Sequence, residues 1–425
     1  MAEAETVAAQ QPLSSESVGN ADIVIGLATY NNAETIGNLV RTVVAGLPQH
    51  FPSKQSVLVH LDGGSEDATV QLVREAADST VPLIQDKYVL DKFLTPAHGL
   101  PGHVSAARGI FQSAEKLGAA ACLLLDATTQ NVAADSIHAL LRPVVEQGFD
   151  MAVPYFRRHR YEGGVSNGIV APMIRALYGK RLRQPLGSEF ALSGRLAGQC
   201  VKLETPNGQP AQCSVDIWLV IEAICGNYRI CQVFLGEKPE RAKAPSADPS
   251  EILVQLLSAL FTATGATVAT WQKARGSEAI PSFGGDAAPS AEPSAQVNVK
   301  RMIEAFRLGY QTLQEIWGLL LPPATLLELK KLTIAPDEQF RMADDLWARI
   351  VYDFALGYRL RPIARDHLLR ALTPLYLGWL ASFIQETERS TPMGVEARLE
   401  RLGFAYETQK HYLISRWRWP DRFNP

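Results

Sequence analysis

Between residues 22 and 156 the chain alternates short apolar runs with longer amphipathic ones, and this alternation limits the fold more than any other feature. "DIVIGL" (22–27), "SVLVHL" (56–61), "VPLIQ" (81–85), "ACLLL" (121–125) and "DMAVPYF" (150–156) read as strands. The segments between them read as helices: 32–47 with Ile36, Leu39, Val40 and Val43 on one face, about 68–77, His103–Lys116 and Ser136–Gln147. Strands joined through helices need crossover connections, so the pattern predicts an α/β, Rossmann-like domain with a mainly parallel sheet. Ligands of such sheets sit beyond the carboxyl ends of the strands, and Asp126 directly follows the last apolar residue of one of them.

The organisation changes along the chain. Residues 1–20 are polar and without periodicity, which predicts a disordered tail, and the α/β domain is expected over 21–245. An apolar helix follows at about 249–273, with Ile252, Leu253, Leu256, Leu257 and Leu260 at helical spacing. Residues 274–297 are rich in Pro, Ser, Gly and Ala, so 246–297 reads as a helix plus a flexible insertion. From 298 to 425 every strong pattern is helical, which predicts a second, all-helical domain. The run "ALTPLYLGWLASFI" (371–384) is too short to span a membrane and contains Pro374, so it is expected to be a buried helix.

Composition narrows the function. With 47% hydrophobic residues, 20% charged residues and a net charge of -3, the chain lacks the electrostatic footprint of a nucleic-acid binder. Its five cysteines contain no C-x-x-C pair, and no apolar signal core follows the N-terminus, which together predict a reduced, cytoplasmic protein.

Four stretches carry candidate chemistry. "ATYNNAETI" (28–36) and "LDGGSEDAT" (61–69) are strand-to-helix turns. Asn is a good helix cap, and the same turns also offer backbone donors to a ligand. "CLLLDATTQN" (122–131) places Asp126 and Thr128 after a strand, as a cap or as oxygen ligands for a hard cation. "RYEGGVSNGIVAPMIRALYGKRLRQPLGSEFALS" (160–193) has a Gly-rich turn before a helix, which is either a plain turn or an anion site. In the same stretch Glu189 is either a functional carboxylate or a partner for Arg181 or Arg183. The C-terminal "HYLISRWRWPDRF" (411–423) is expected to dock its aromatic residues onto the helical domain.

Together these stretches resemble nucleotide-diphosphate-sugar glycosyltransferases of the GT-A fold, and among them glucosyl-3-phosphoglycerate and mannosylglycerate synthases. The resemblance covers roughly residues 22–243. It implies a hexosyltransferase taking a UDP- or GDP-sugar and a small polar or anionic acceptor of glycerate or phosphoglycerate type, with retention of configuration. Alternatives within the same reading are a lipid-linked or polysaccharide acceptor, or a non-catalytic nucleotide-sugar-binding protein. The resemblance assigns Ala28, Tyr30, Asn31, Glu34, Asp62, His103 and Asp126 to the nucleotide, and Gly163, Gly164, Ser166, Asn167 and Gly168 to the acceptor. Asp216 and Glu189 are assigned to the reacting sugar. It further implies a divalent cation, Mg or Mn, on Asp126, Thr128 and Glu240, and a homodimer as the assembly.

The match is incomplete. The family carries D-x-D where this chain has Asp126-Ala127-Thr128, a Lys where His103 stands, and a metal-binding His where Glu240 stands. Glu240 either restores a carboxylate to the site or is an ordinary solvated residue beside Lys238, Arg241 and Lys243.

Overall fold

The computed structural model describes residues 13, 15–77, 80–88, 103–130, 132–187, 189–202, 214–238, 248–285 and 297–420, with the side chains of Ser15, Glu16 and His103 outside this set. The elements run α1 (Ser15–Val18), β1 (Ile23–Thr29), α2 (Ala33–His50), β2 (Ser56–Asp62), α3 (Thr69–Ala76), β3 (Leu83–Lys87), α4 (His103–Lys116), β4 (Ala121–Asp126), α5 (Ala134–Gln147) and β5 (Met151–Arg157). They continue through a π-helical turn (Ser166–Val170), α6 (Ala171–Tyr178), β6 (Lys180–Arg181), β7 (Phe190–Ser193), α7 (Gly194–Lys202), α8 (Val215–Cys225) and β8 (Ile230–Glu237). Then come α9 (Pro249–Ala266), α10 (Val268–Trp271), β9 (Glu278–Ala279), β10 (Ser282–Phe283), α11 (Val299–Leu320) and α12 (Pro323–Ile334). The last elements are α13 (Asp344–Leu360), α14 (Arg365–Ala371), α15 (Thr373–Thr387) and α16 (Pro392–Arg418).

The chain forms two compact units. The first comprises residues 1–156, 186–247 and 281–285; the second comprises 157–185, 248–280 and 286–425. The first unit holds an eight-stranded sheet in the order β10-β8-β5-β7-β4-β1-β2-β3. β1 pairs in parallel with β2 and with β4, and β2 in parallel with β3. β7 enters antiparallel between β4 and β5. The expected α/β class with a mainly parallel sheet is therefore observed.

β1, β2 and β4 are buried along their whole length, which explains why they read as continuous apolar runs rather than alternating ones. Their inner residues Ile23, Ile25, Leu58, Leu123 and Leu125 join Ile36, Val40 and Val43 of α2 and Leu140 and Leu141 of α5 in one core. Each such side chain contributes about 1.5–3 kcal/mol on burial.

The second unit is built almost entirely from helices around aromatic residues. Trp271, Trp317, Trp347 and Trp379 are fully buried, and Trp347 stacks on Trp379 at 5.6 Å between ring centroids. The 371–384 run lies within α14 and α15 as a buried helical segment, with Pro374 in the first turn of α15 where a missing N–H costs nothing. Trp417 packs edge-on against Trp271 at 5.4 Å, so part of the C-terminal segment docks on its own unit as expected, while Trp419 stays exposed. Among the described residues no helix is long and apolar enough to cross a membrane.

The unit boundaries differ from the sequence reading in two places. Residues 157–185 belong with the helices rather than with the sheet. The stretch expected to be a flexible insertion contains β9, which pairs with β6, and β10, which extends the main sheet beside β8. Two-residue strands are too short to register as periodicity, and the surrounding Pro, Ser, Gly and Ala made the segment read as loop; Gly276, Gly284 and Gly285 take positive φ values there.

Candidate functional site

The site begins with the register of three strands. Thr29 lies opposite Asp62, and Ala28 lies opposite Asp126. Both aspartates therefore stand at the carboxyl ends of the strands flanking β1, their backbones roughly 10 Å apart across two strand spacings. Asp62 and Asp126 are 3% and 1% exposed.

Asp62 organises the turn after β2. Its Oδ1 accepts the Thr29 hydroxyl at 2.9 Å and the Ser65 hydroxyl at 2.6 Å. Its Oδ2 accepts the Gly64 and Ser65 amides at 2.9 and 2.8 Å. Burial pushes its pKa up, but the hydrogen bonds from Ser65, Thr29 and Gly64 outweigh this and lower it below the usual value. The turn is tied in turn to the one after β1. The Asn31 amide donates to Ser65 Oγ at 2.9 Å, and Asn31 Oδ1 accepts the Glu66 amide at 2.9 Å. Asn31 adopts φ 52°, a left-handed conformation that Asn tolerates better than most residues.

The helix-cap reading of "YNN" is not what the structure shows. Asn32 occupies the N-cap position of α2 without capping it by its side chain; its Oδ1 accepts the Tyr30 amide at 2.8 Å instead. The first turn of α2 is served by Asp67, whose Oδ2 accepts the Ala33 amide at 3.2 Å. Glu34 is exposed in that turn, and Ala28 is buried within β1.

The turn after β4 is wired to two other motifs. Asp126 Oδ1 accepts the Thr128 amide at 2.9 Å and the Thr128 hydroxyl at 2.6 Å, and its carbonyl accepts the Thr129 amide at 3.1 Å. Thr35, in the first turn of α2, donates its hydroxyl to the Ala127 carbonyl at 2.5 Å. Thr129 donates its hydroxyl to Glu189 Oε1 at 3.2 Å, so a carboxylate 63 positions along from Asp126 reaches the same turn. Glu189 is 7% exposed and belongs to the sheet unit, whereas Arg181 and Arg183 belong to the helical one. Arg183 pairs with Glu396. Asp216 is fully buried in the first turn of α8, where the helix dipole favours a carboxylate.

Sequence reasoning missed Thr29, Thr35, Thr129 and Tyr88. The Tyr88 hydroxyl donates to the Thr29 carbonyl at 3.3 Å, and its amide donates to the Asp62 carbonyl at 3.1 Å. The hydroxyl's pKa is raised by burial first and by the Asp62 and Tyr30 charges next. The three threonines stood inside the quoted motifs, but nothing in the spacing marks which hydroxyl bridges which turn.

The expected acceptor stretch lies in the helical unit, and packing explains two of its glycines. A Cβ on Gly164 would meet the Tyr376 hydroxyl at 2.3 Å, and one on Gly168 would meet the Trp379 ring at 2.3 Å. The Gly168 carbonyl accepts both Trp347 Nε1 and the Tyr406 hydroxyl at 2.9 Å. Gly163 takes a positive φ of 69° in the turn, and Asn167 Nδ2 donates to the Glu162 carbonyl at 3.1 Å. Ser166 is buried at the start of the π-helical turn, a local geometry enriched at functional sites. Glu240 and the His103 side chain lie outside the described residues. Among the described residues no group of three or more His, Cys, Asp or Glu gathers to hold a metal.

No family model matches the chain, and no curated protein matches it. Among solved structures it is similar to glucosyl-3-phosphoglycerate synthase from Mycobacterium tuberculosis in complex with Mn2+, uridine diphosphate and phosphoglyceric acid. That alignment has a TM-score of 0.42 at 18% identity and covers 60% of this chain and 83% of the other. The same enzyme with Mg2+ and uridine diphosphate aligns at a TM-score of 0.42 and 18% identity, over 60% of this chain and 84% of the other. A further mycobacterial protein aligns at a TM-score of 0.42 and 21% identity, over 59% and 76%.

Proposed function

We propose that this chain is a glycosyltransferase that moves a hexose from a UDP- or GDP-sugar to a small polar or anionic acceptor of glycerate or phosphoglycerate type, with retention. The observation that carries the reading is the joining of three strand-end turns with Glu189. The Asn31 turn is bonded to the Ser65 turn, Thr35 holds the Asp126 turn, and Thr129 holds Glu189. These are the stretches whose sequence resembles the GT-A family.

In this reading the turn organised by Asp62 takes the nucleoside, with Tyr30, Asn31 and Glu34 beside it. The Asp126 turn faces the diphosphate. A divalent cation fits the donors there. Asp126 supplies a hard carboxylate oxygen, and the Thr128 hydroxyl, which donates its hydrogen bond to Asp126, keeps its lone pairs for a ligand. Magnesium commonly takes only one or two carboxylates and completes its shell with substrate phosphates and water, so a sparse protein donor set suffices. Glu240 is a further proposed ligand. Such an ion, Mg or Mn, supplies neutralisation of the charge that builds on the leaving diphosphate.

The chain's own residues do the rest by positioning and fixed electrostatics. Glu189, oriented by Thr129, and Asp216, held in the first turn of α8, stabilise the positive charge that develops on the sugar. The Gly163–Gly168 stretch of the helical unit, with Ser166 foremost, is the proposed acceptor-binding segment. The enzyme works as a homodimer in the cytoplasm.

Calorimetry with UDP, GDP and their glucose and mannose conjugates, with and without Mn2+, tests the donor half. Release of the matching diphosphate on addition of glycerate or 3-phosphoglycerate tests the acceptor half. Tight, cation-enhanced binding of one nucleotide is expected, and binding of none of them overturns the reading.

A further inference from the structure

His60 lies in the middle of β2, two residues before Asp62 and fully buried. The register places it opposite Gln85 of β3. Its Nε2 is 2.7 Å from the Thr29 hydroxyl and its Nδ1 is 2.7 Å from Gln85 Nε2. Gln85 Oε1 in turn accepts Arg74 Nε at 2.7 Å. Thr29 completes the series by donating to Asp62 Oδ1 at 2.9 Å.

The direction of every bond in this chain is forced from both ends. A guanidinium only donates, so the Gln85 oxygen faces Arg74 and its amide nitrogen faces His60 Nδ1. An ionised carboxylate only accepts, so the one hydroxyl proton of Thr29 faces Asp62 and its oxygen must accept from His60. His60 is thereby fixed as the neutral tautomer with its proton on Nε2. Burial agrees with a neutral ring, lowering its pKa to about 4 against the smaller opposing pull of Asp62, with Arg74 lowering it further.

We propose that His60 is a positioning residue for nucleotide recognition: through Thr29 it commits a donor to Asp62 Oδ1 and so sets the carboxylate and the Gly64-Ser65 turn that meet the nucleoside. The proposal rests on the nucleotide-site reading above. Four donors hold Asp62, and three of them are fixed: the buried Thr29 hydroxyl and the Gly64 and Ser65 amides. The Ser65 hydroxyl alone is a rotatable group on a partly exposed residue. A ligand N–H or O–H therefore reaches Oδ1 by displacing Ser65, and the relay keeps the remaining three donors in place while it does so. If His60 were only a satisfied core residue, its loss would lower stability without selectively weakening nucleotide binding.

The test uses the full chain and two readouts. Ring-nitrogen chemical shifts of the unliganded protein should report His60 as the Nε2-protonated neutral tautomer; an Nδ1-protonated or doubly protonated ring overturns the relay. UDP and GDP binding by calorimetry should weaken about tenfold or more in His60→Leu, a loss of about 1.4 kcal/mol. Thr29→Val, nearly the same shape as Thr, should lose as much even where His60→Leu fails to fold. His60→Gln, whose amide nitrogen can replace Nε2 as donor, should stay within about threefold of the native affinity. Native-like binding by Thr29→Val overturns the proposal. If the native chain binds neither nucleotide, the nucleotide-site reading falls with it, and the tautomer still decides whether the relay exists.

Discussion

Thr129 Oγ1 donates to Glu189 Oε1 at 3.2 Å, and through this bond the carboxylate of one sequence motif is oriented by the turn of another. Under the proposed function Glu189 faces the developing positive charge on the sugar, so Glu189→Gln should lower kcat by about a hundredfold or more with little change in donor KM. Thr129→Val keeps the charge and loses only its orientation, so a loss of about tenfold is expected. Steady-state kinetics on the two variants checks the order of effects; equal and small losses would remove Glu189 from the reacting centre.

Asp126 is predicted to carry the cation dependence. Asp126→Asn keeps an oxygen acceptor for the Thr128 amide but removes the charge that a divalent ion needs. Nucleotide binding should then lose its enhancement by Mn2+, while binding measured without metal changes by less than about threefold. Thr128→Val should lower the Mn2+ affinity by a smaller factor. Titration of Mn2+ at fixed nucleotide separates the two.

Most of the sheet was legible because each strand is an apolar run and each crossover helix is amphipathic. β1 to β5 and α2 to α5 fall within a few residues of the segments read from periodicity. β7 was not legible: four residues inserted antiparallel between two longer strands leave no periodic signature. The carboxylates Asp62, Asp126 and Glu189 were visible from strand ends and motif resemblance. Their partners Thr29, Thr35 and Thr129 were not, because a bridging hydroxyl is defined by strand register and loop path rather than by local spacing. The Gly-rich 163–168 stretch was visible as a pattern and ambiguous in meaning, since glycine serves a tight turn and a close helix contact equally well.

That ambiguity can be measured. Gly168→Ala places a methyl where the Trp379 ring stands, 2.3 Å away, and Gly164→Ala places one against the Tyr376 hydroxyl at the same distance. Overpacking of this kind costs about 1–3 kcal/mol. Both variants should lower the denaturant midpoint, and Gly168→Ala should lower it more, because an indole yields less than a hydroxyl. A glycine kept only for acceptor binding would instead raise the acceptor KM at unchanged stability.

Asp62→Asn should destabilise the sheet unit as well as weaken nucleotide binding. One of its oxygens becomes an NH2 group that cannot accept from the Gly64 and Ser65 amides or from the Thr29 and Ser65 hydroxyls. Leaving buried donors unpaired costs about 1–3 kcal/mol. Chemical denaturation of the unliganded variant measures this separately from any effect on binding.

His60 and Asp353 give the stability opposite pH dependences. His60 has a folded pKa of about 4, below an unfolded value near 6.5. The unfolded chain therefore binds more protons between those values, and this contribution to stability is complete above pH ~6.5 and is lost as pH falls toward 4. Asp353 is 1% exposed between Tyr412 and Arg416, and burial raises its pKa to about 7 against the pull of Arg416 and the Tyr412 hydrogen bonds. Here the folded chain binds more protons from pH ~4 to about 7, so its contribution is complete below pH ~4 and is lost as pH rises toward 7. In the native chain the two slopes oppose each other across pH 4 to 6.5. Relative to the native chain, Asp353→Asn should make stability rise more steeply with pH over that range, and His60→Gln should make it rise less steeply or fall. Urea midpoints at closely spaced pH values read the slope independently of any constant loss each variant brings, and a slope unchanged from the native chain in both variants would rule out a contribution from these two groups.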